Sequence, residues 1–134
     1  MLFKEESLRS QFEMLHPLCK IIANDFDFLS RFFGIEPVVT RINDKVSGES
    51  GVHKDLRAID FRDEYDKDVF LYKPSVRTLI HLVLNEKYAR IDKYQTALWH
   101  SFNSGPHHFH LQVAPSADSY LKSEISDYYS IKGV

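Results

Sequence analysis

A chain of 134 residues, 43% apolar and 27% charged, has the composition of one globular domain able to bury a core without staples. A net charge of −2, with basic residues scattered among acids, excludes the positive surface that nucleic acid or an anionic membrane requires. The single cysteine, Cys19, excludes an internal disulfide and thiolate-rich zinc sites, so any metal here must use imidazole and carboxylate.

No run approaches the ~20 apolar residues that span a bilayer. The polar, acidic start MLFKEESLRSQFE is unlike a signal peptide. The expectation is a cytoplasmic chain, or one released or carried out by other means.

Residues 5–15 and 18–33 carry apolar residues at helical spacing. Leu18, Ile21, Ile22, Leu29, Phe32 and Phe33 share one broad face, extended by Phe26 and Phe28, and this surface reads as core. Pro17 separates or kinks the two segments, and Gly34 ends the second. Cys19, within LHPLCKII, reads as a buried thiol, with a nucleophile paired to a histidine as the alternative. EPVVTRI (36–42) is β-branched and reads as a strand, NDKVSGES (43–50) as a polar loop, and RAIDFR (57–62) as a second strand. DEYDKD (63–68) reads as a charged, solvated turn; it lacks the spaced ligands and central glycine of a calcium loop.

Ser75, after Pro74, is placed to cap a helix over 75–88, with Val76, Leu79, Ile80, Val83 and Leu84 as its buried stripe. His81 on that helix reads as a surface or satisfied core histidine. TALWHSF (96–102) and HHFHLQV (107–113) read as a hairpin turned by NSGP (103–106). From Pro115 the chain turns polar and reads as a short helix or a loosely held tail, residues 115–134. The order implies a single α+β domain spanning 1–134, with N-terminal helices over 1–34 and a metal-site core over 36–113. It is a small antiparallel sheet with helices packed on one side.

Two segments carry chemistry. In SGVHKDLRAIDFR, His53 and Asp60 are seven residues apart. That spacing would set them on opposite faces of one strand, but both reach one point if His53 lies in the loop before it. In PHHFHLQV, His108 and His110 share a strand face and His107 takes the other unless the turn twists it. Two imidazoles and one carboxylate leave a fourth position open, which is the geometry of a catalytic zinc. Such an ion acidifies water and polarises a carbonyl, as amide hydrolysis requires.

H-x6-D followed by H-x-H resembles the zinc peptidases that include D-Ala-D-Ala carboxypeptidases, murein endopeptidases, phage endolysins and the hedgehog signalling domain. In the family pattern S-x-H-x-x-G-x-A-x-D, His53, Ala58 and Asp60 stand at matching positions, and the last histidine of HFHLQV matches the third ligand. The resemblance implies a hedgehog-like fold with one zinc per chain on His53, Asp60 and His110. It implies a peptidase acting on peptidoglycan stem peptides, and its endolysin members point to a phage-associated protein. His108 and His107 compete for the base role. Arg41, on a strand like the one that brings in the family's arginine, would stabilise an oxyanion or hold a substrate carboxylate, with a solvent-facing strand residue as the alternative. Trp99, Tyr72 and His100 are candidates to line the cleft, with a core role the alternative for Trp99.

The chain departs from the pattern at three places. Gly51 replaces the serine, Leu56 replaces the glycine, and His107 stands where many members carry an acidic base. Were His108 the ligand, the base position would be Gly105, which has no side chain to serve. The departures keep a second class of function open, a non-catalytic metal-binding domain serving as a structural, virion or binding module.

Overall fold

The computed structural model describes residues 1–43, 52–102, 104–121 and 123–132. The expected loop over 43–50 lies outside these apart from Asn43, as do Ser50 and Gly51. Two helices open the chain after a short strand β1 (Leu2–Phe3): α1 (Ser7–Met14) and α2 (Pro17–Phe32). Pro17 separates them rather than kinking one helix. It sits in the first turn of α2, where its missing N–H costs nothing, while the His16 ring accepts from the Leu18 N–H. Gly34 stops α2 in the left-handed region, at φ +76°.

The sheet is built from β2 (Val38–Arg41), β3 (Ala58–Arg62), β6 (Ala97–His100) and β7 (His108–Gln112). Its order is β1-β2-β3-β7-β6. The fold is α+β, but the sheet is mixed rather than purely antiparallel, because β1 pairs parallel to β2. Two residues were too few for hydrophobic periodicity to mark β1.

The sheet divides its residues by parity. Ile59 and Phe61 of β3, and Phe109 and Leu111 of β7, are fully buried. Phe26 of α2 lies against them, its ring 4.4 Å from Phe61 and 4.9 Å from Phe109. The alternate residues Ala58, Asp60, His108, His110 and Gln112 therefore stand on the face away from α2.

Several expectations needed correction. Phe28 and Phe32 are 71% and 77% exposed, and Phe33 is also exposed. Helix α2 buries only the stripe Leu18, Cys19, Ile22, Ala23, Phe26 and Ser30. The stretch 63–68 is a small hairpin, β4 (Glu64–Asp66) with β5 (Val69–Phe70), turned at Asp68 with φ +57°. Helix α3 (Pro74–Lys87) begins at the proline, and Ser75 is inside it rather than capping it. Of its expected stripe, Ile80 and Leu84 are buried while Leu79 is exposed. His81 is half-buried beside Phe109, and burial lowers its pKa.

The C-terminal stretch is docked rather than loose. It ends in α4 (Ser126–Lys132), and Tyr120, Ile125 and Tyr129 are buried. The Tyr129 hydroxyl donates to the Ala114 carbonyl at 2.6 Å, and the Tyr120 hydroxyl accepts from the Ala114 N–H. Cys19 is wholly buried, and that burial pushes its thiol pKa up. Among the described residues no helix is long and apolar enough to cross a membrane.

The packing sets a contrast between neighbouring phenylalanines. Phe26→Ala should cost ~3–5 kcal/mol in urea unfolding, as emptied core aromatic sites do. Phe28→Ala should stay within about 0.5 kcal/mol of the parent. Equal losses would place the core on the wrong face of α2.

Candidate metal centre

Asp60 and His110 are directly opposed across β3 and β7. The pairing holds their side chains together on the open face of the sheet, with His110 Nδ1 2.8 Å from Asp60 Oδ1. His53 arrives from the chain before β3. A tight turn over residues 52–57, closed by Leu56 N–H to His53 O and Arg57 N–H to Val52 O, folds the loop back onto the strand. This turn removes the parity problem of seven-residue spacing, and His53 Nε2 lies 3.3 Å from Asp60 Oδ1. Leu56 takes φ +58° in that turn, the region where glycine is favoured.

His53, Asp60 and His110 are all buried, and one ligand atom from each lies within 4.8 Å of the others. They form a cluster that could hold a metal ion. The donor chemistry fits one. His53 Nδ1–H donates to the Ile42 carbonyl at 2.8 Å, and a carbonyl can only accept. Its Nε2 therefore carries the lone pair in the neutral ring. That atom is buried without a well-aligned hydrogen bond while facing a carboxylate. Lone pair against carboxylate is a repulsive arrangement that a cation resolves.

The charges agree. Burial alone would raise the pKa of Asp60, but the His110 ring hydrogen-bonded to it and the His53 ring beside it override that and hold the carboxyl well below its usual range. Burial opposes charge on His53, yet the Asp60 carboxylate 3.3 Å from its Nε2 outweighs it and raises its pKa.

Arg41 and His108 complete the surroundings of Asp60. Arg41 Nη1 lies 3.7 Å and His108 Nε2 3.5 Å from Asp60 Oδ2. A bulge in β2 accounts for Arg41. Val39 opposes Phe61 and is core, yet Arg41, two residues on, opposes Asp60 rather than Ile59. His100 is directly across from His108, with ring centroids 4.7 Å apart. All of these line one cavity of about 320 Å³, whose apolar walls are Val52, Tyr94, Leu98 and Phe102.

Three other candidates are placed elsewhere. His107 stacks on Trp99 with centroids 4.2 Å apart and shares a 3.0 Å hydrogen bond with Glu64 Oε1. Trp99 opposes Phe109 on the helix side, and its Nε1–H donates to Asp63 Oδ2 at 2.8 Å. Tyr72 is a core residue, 1% exposed, with its hydroxyl 2.7 Å from Ser30 Oγ. For Trp99 the reason is again parity, since the site face of β6 and β7 belongs to Leu98, His100, His108 and His110. Sequence reasoning missed Gln112, which shares the parity of His108 and His110 and could have been found by extending the alternation two residues.

No family profile, curated protein or solved structure matches the chain.

A gel-filtered sample loaded with a divalent metal should carry one ion per chain, and Asp60→Ala should carry none by elemental analysis. Metal at a hundredfold excess over Kd should stabilise the fold by ~2.7 kcal/mol. The sign of its pH dependence follows from His53. Its raised pKa means that protonation contributes stability to the metal-free fold, fully present at low pH and lost as pH rises through the folded value. Protons and metal compete for the same ring, so the increment in Tm on adding metal should grow from pH 5.5 to pH 8. An increment that shrinks over that range would contradict the site.

Proposed function

We propose that the chain is a zinc-dependent hydrolase of peptide bonds in peptidoglycan stem peptides, with the hedgehog and D-Ala-D-Ala peptidase type of fold. The observation that carries the proposal is the convergence of two imidazole nitrogens and an ionised carboxylate on one wall of an open cavity. This donor set suits zinc and leaves a position for water or substrate. Bound there, the ion would supply Lewis acidity toward a carbonyl and an acidified water. The peptidoglycan substrate rests on the resemblance in the motif, and the zinc chemistry on the donor set.

The chain's own residues divide the remaining work. His108 Nδ1–H points to the Pro106 carbonyl at 3.3 Å, which leaves Nε2 as the basic atom directed into the cavity. His107 is stacked outside the cavity, so the base role goes to His108. A base there takes the proton of the attacking water and returns it to the leaving amine. The Arg41 guanidinium, on the other side of Asp60 Oδ2, is available to a developing oxyanion or a substrate carboxylate.

One observation favours the second reading, a metal-binding module without catalysis. Among the described residues lining the cavity, Asp60 is the only carboxylate, and Glu64 is engaged by His107 away from it. The two readings separate on products. Zinc-loaded protein incubated with muropeptides should release cleaved stem peptides detectable by mass spectrometry. His108→Ala should keep its zinc and lose roughly 10²–10⁴-fold in rate, the usual worth of a positioned base. Full zinc occupancy with no cleavage from pH 5 to 9 would establish the module instead.

A further inference from the structure

The His110 ring has both nitrogens near oxygen atoms: Nδ1 at 2.8 Å from Asp60 Oδ1, Nε2 at 3.0 Å from Gln112 Oε1. Which nitrogen keeps its proton when a metal binds depends on what Gln112 can accept. Its amide has two ends of similar shape, but the second contact settles their order. Gln112 Nε2 lies 2.9 Å from the Gln95 carbonyl oxygen, which has no hydrogen to give. The NH2 end must face that carbonyl, since the reverse orientation would bring two acceptors together. Oε1 is then left facing His110, and it can only accept. Asp60 Oδ1 likewise can only accept, so both His110 nitrogens face acceptors; a metal that takes the place of the proton on Nδ1 leaves Nε2–H on Gln112 and turns the Nδ1 lone pair to the side of Asp60 and His53.

The support behind Gln112 is rigid. Its own N–H donates to the Thr96 carbonyl at 2.9 Å, in register at the start of β6, and the residue is buried. Its backbone and its side chain thus both anchor to residues 95–96. This inference rests on the metal-centre reading above and adds a residue to it. We infer that Gln112 is a positioning residue whose side-chain amide holds His110 in the tautomer that offers Nδ1, rather than Nε2, to the metal. Partners of this kind, which orient a ligand ring through its other nitrogen, typically change metal affinity 10–100-fold when lost.

The test uses the full chain, zinc or cadmium-113 alone as the probe, and protein labelled with nitrogen-15 at histidine. In the wild type, His110 should coordinate through Nδ1, read from cadmium–nitrogen coupling, and show a slowly exchanging Nε2–H. His53 should show the opposite pattern, with Nε2 coordinated. Gln112→Leu removes the acceptor and should weaken zinc binding about 10–100-fold, with the far-ultraviolet spectrum unchanged. Gln112→Glu keeps an acceptor for Nε2–H and loses the donor to Gln95, and should retain most of the affinity. Coordination of His110 through Nε2 overturns the inference from the wild-type spectrum alone, even if a variant fails to fold. So does Gln112→Leu binding as tightly as the wild type, or Gln112→Glu binding as weakly as Gln112→Leu, which would mark the amide as structural only. A wild type that takes up neither metal removes the metal centre itself, and the inference with it.

Discussion

The pairing of β3 with β7 is the constraint on which the rest of the molecule depends. It sets Asp60 opposite His110, Phe61 opposite Phe109 and Ile59 opposite Leu111 in one register. A shift of one residue would push the carboxylate and imidazoles into the face covered by α2 and turn the phenylalanines toward solvent. Core and site are therefore specified together. The apolar residues that stabilise the sheet by leaving water are interleaved with the polar ones that form the cluster, so hydrophobic burial holds the cluster in place.

A second buried carboxylate shows the same alternation used for structure. Asp63 continues the odd-numbered series Ile59 and Phe61, beyond the end of β3, and is fully buried. It accepts from Tyr72 N–H at 2.9 Å, Arg77 Nε at 3.1 Å and Trp99 Nε1 at 2.8 Å. Arg77 also lies 3.9 Å over the Trp99 ring. An unpartnered buried carboxylate would be strongly destabilising, and these donors from the start of α3, the segment before it and β6 satisfy it. Tyr72 and Trp99 belong to this knot, which ties α3 to the sheet. Two aspartates three residues apart thus stand on opposite faces, one holding the framework and one facing the cavity.

The N-terminal side of the site is made by irregular backbone. The bulge in β2 turns Arg41 from the core face to the cavity face. The turn over 52–57, with Leu56 at positive φ, returns His53 to Asp60. A leucine in the left-handed region costs roughly 1–2 kcal/mol. The Leu56 side chain packs against the core and its carbonyl accepts from His16 N–H at 2.9 Å, contacts that offset the strain. His53 is consequently anchored to α2 through His16 as well as to the sheet.

The amino-acid sequence by itself determined the elements that repeat. Helical spacing marked α1 and α2, and β-branched or alternating residues marked β2, β3 and the β6–β7 hairpin. The same alternation put His108 and His110 on one face, while chemistry and motif spacing singled out His53 and Asp60. Only the tertiary structure decided what depends on contacts distant in sequence. It assigned Phe28 and Phe32 to the surface, because helical periodicity does not reveal how wide a stripe the sheet will cover. It put Trp99, Tyr72 and His107 outside the cavity and brought Gln112 and Arg41 to it, because strand register, a bulge and side-chain hydrogen bonds choose the face. Periodicity is a property of neighbours along the chain, whereas a site is assembled across strands, and the free energies that select its register come from pairs such as Phe26–Phe61 and His110–Asp60 that sequence spacing does not encode.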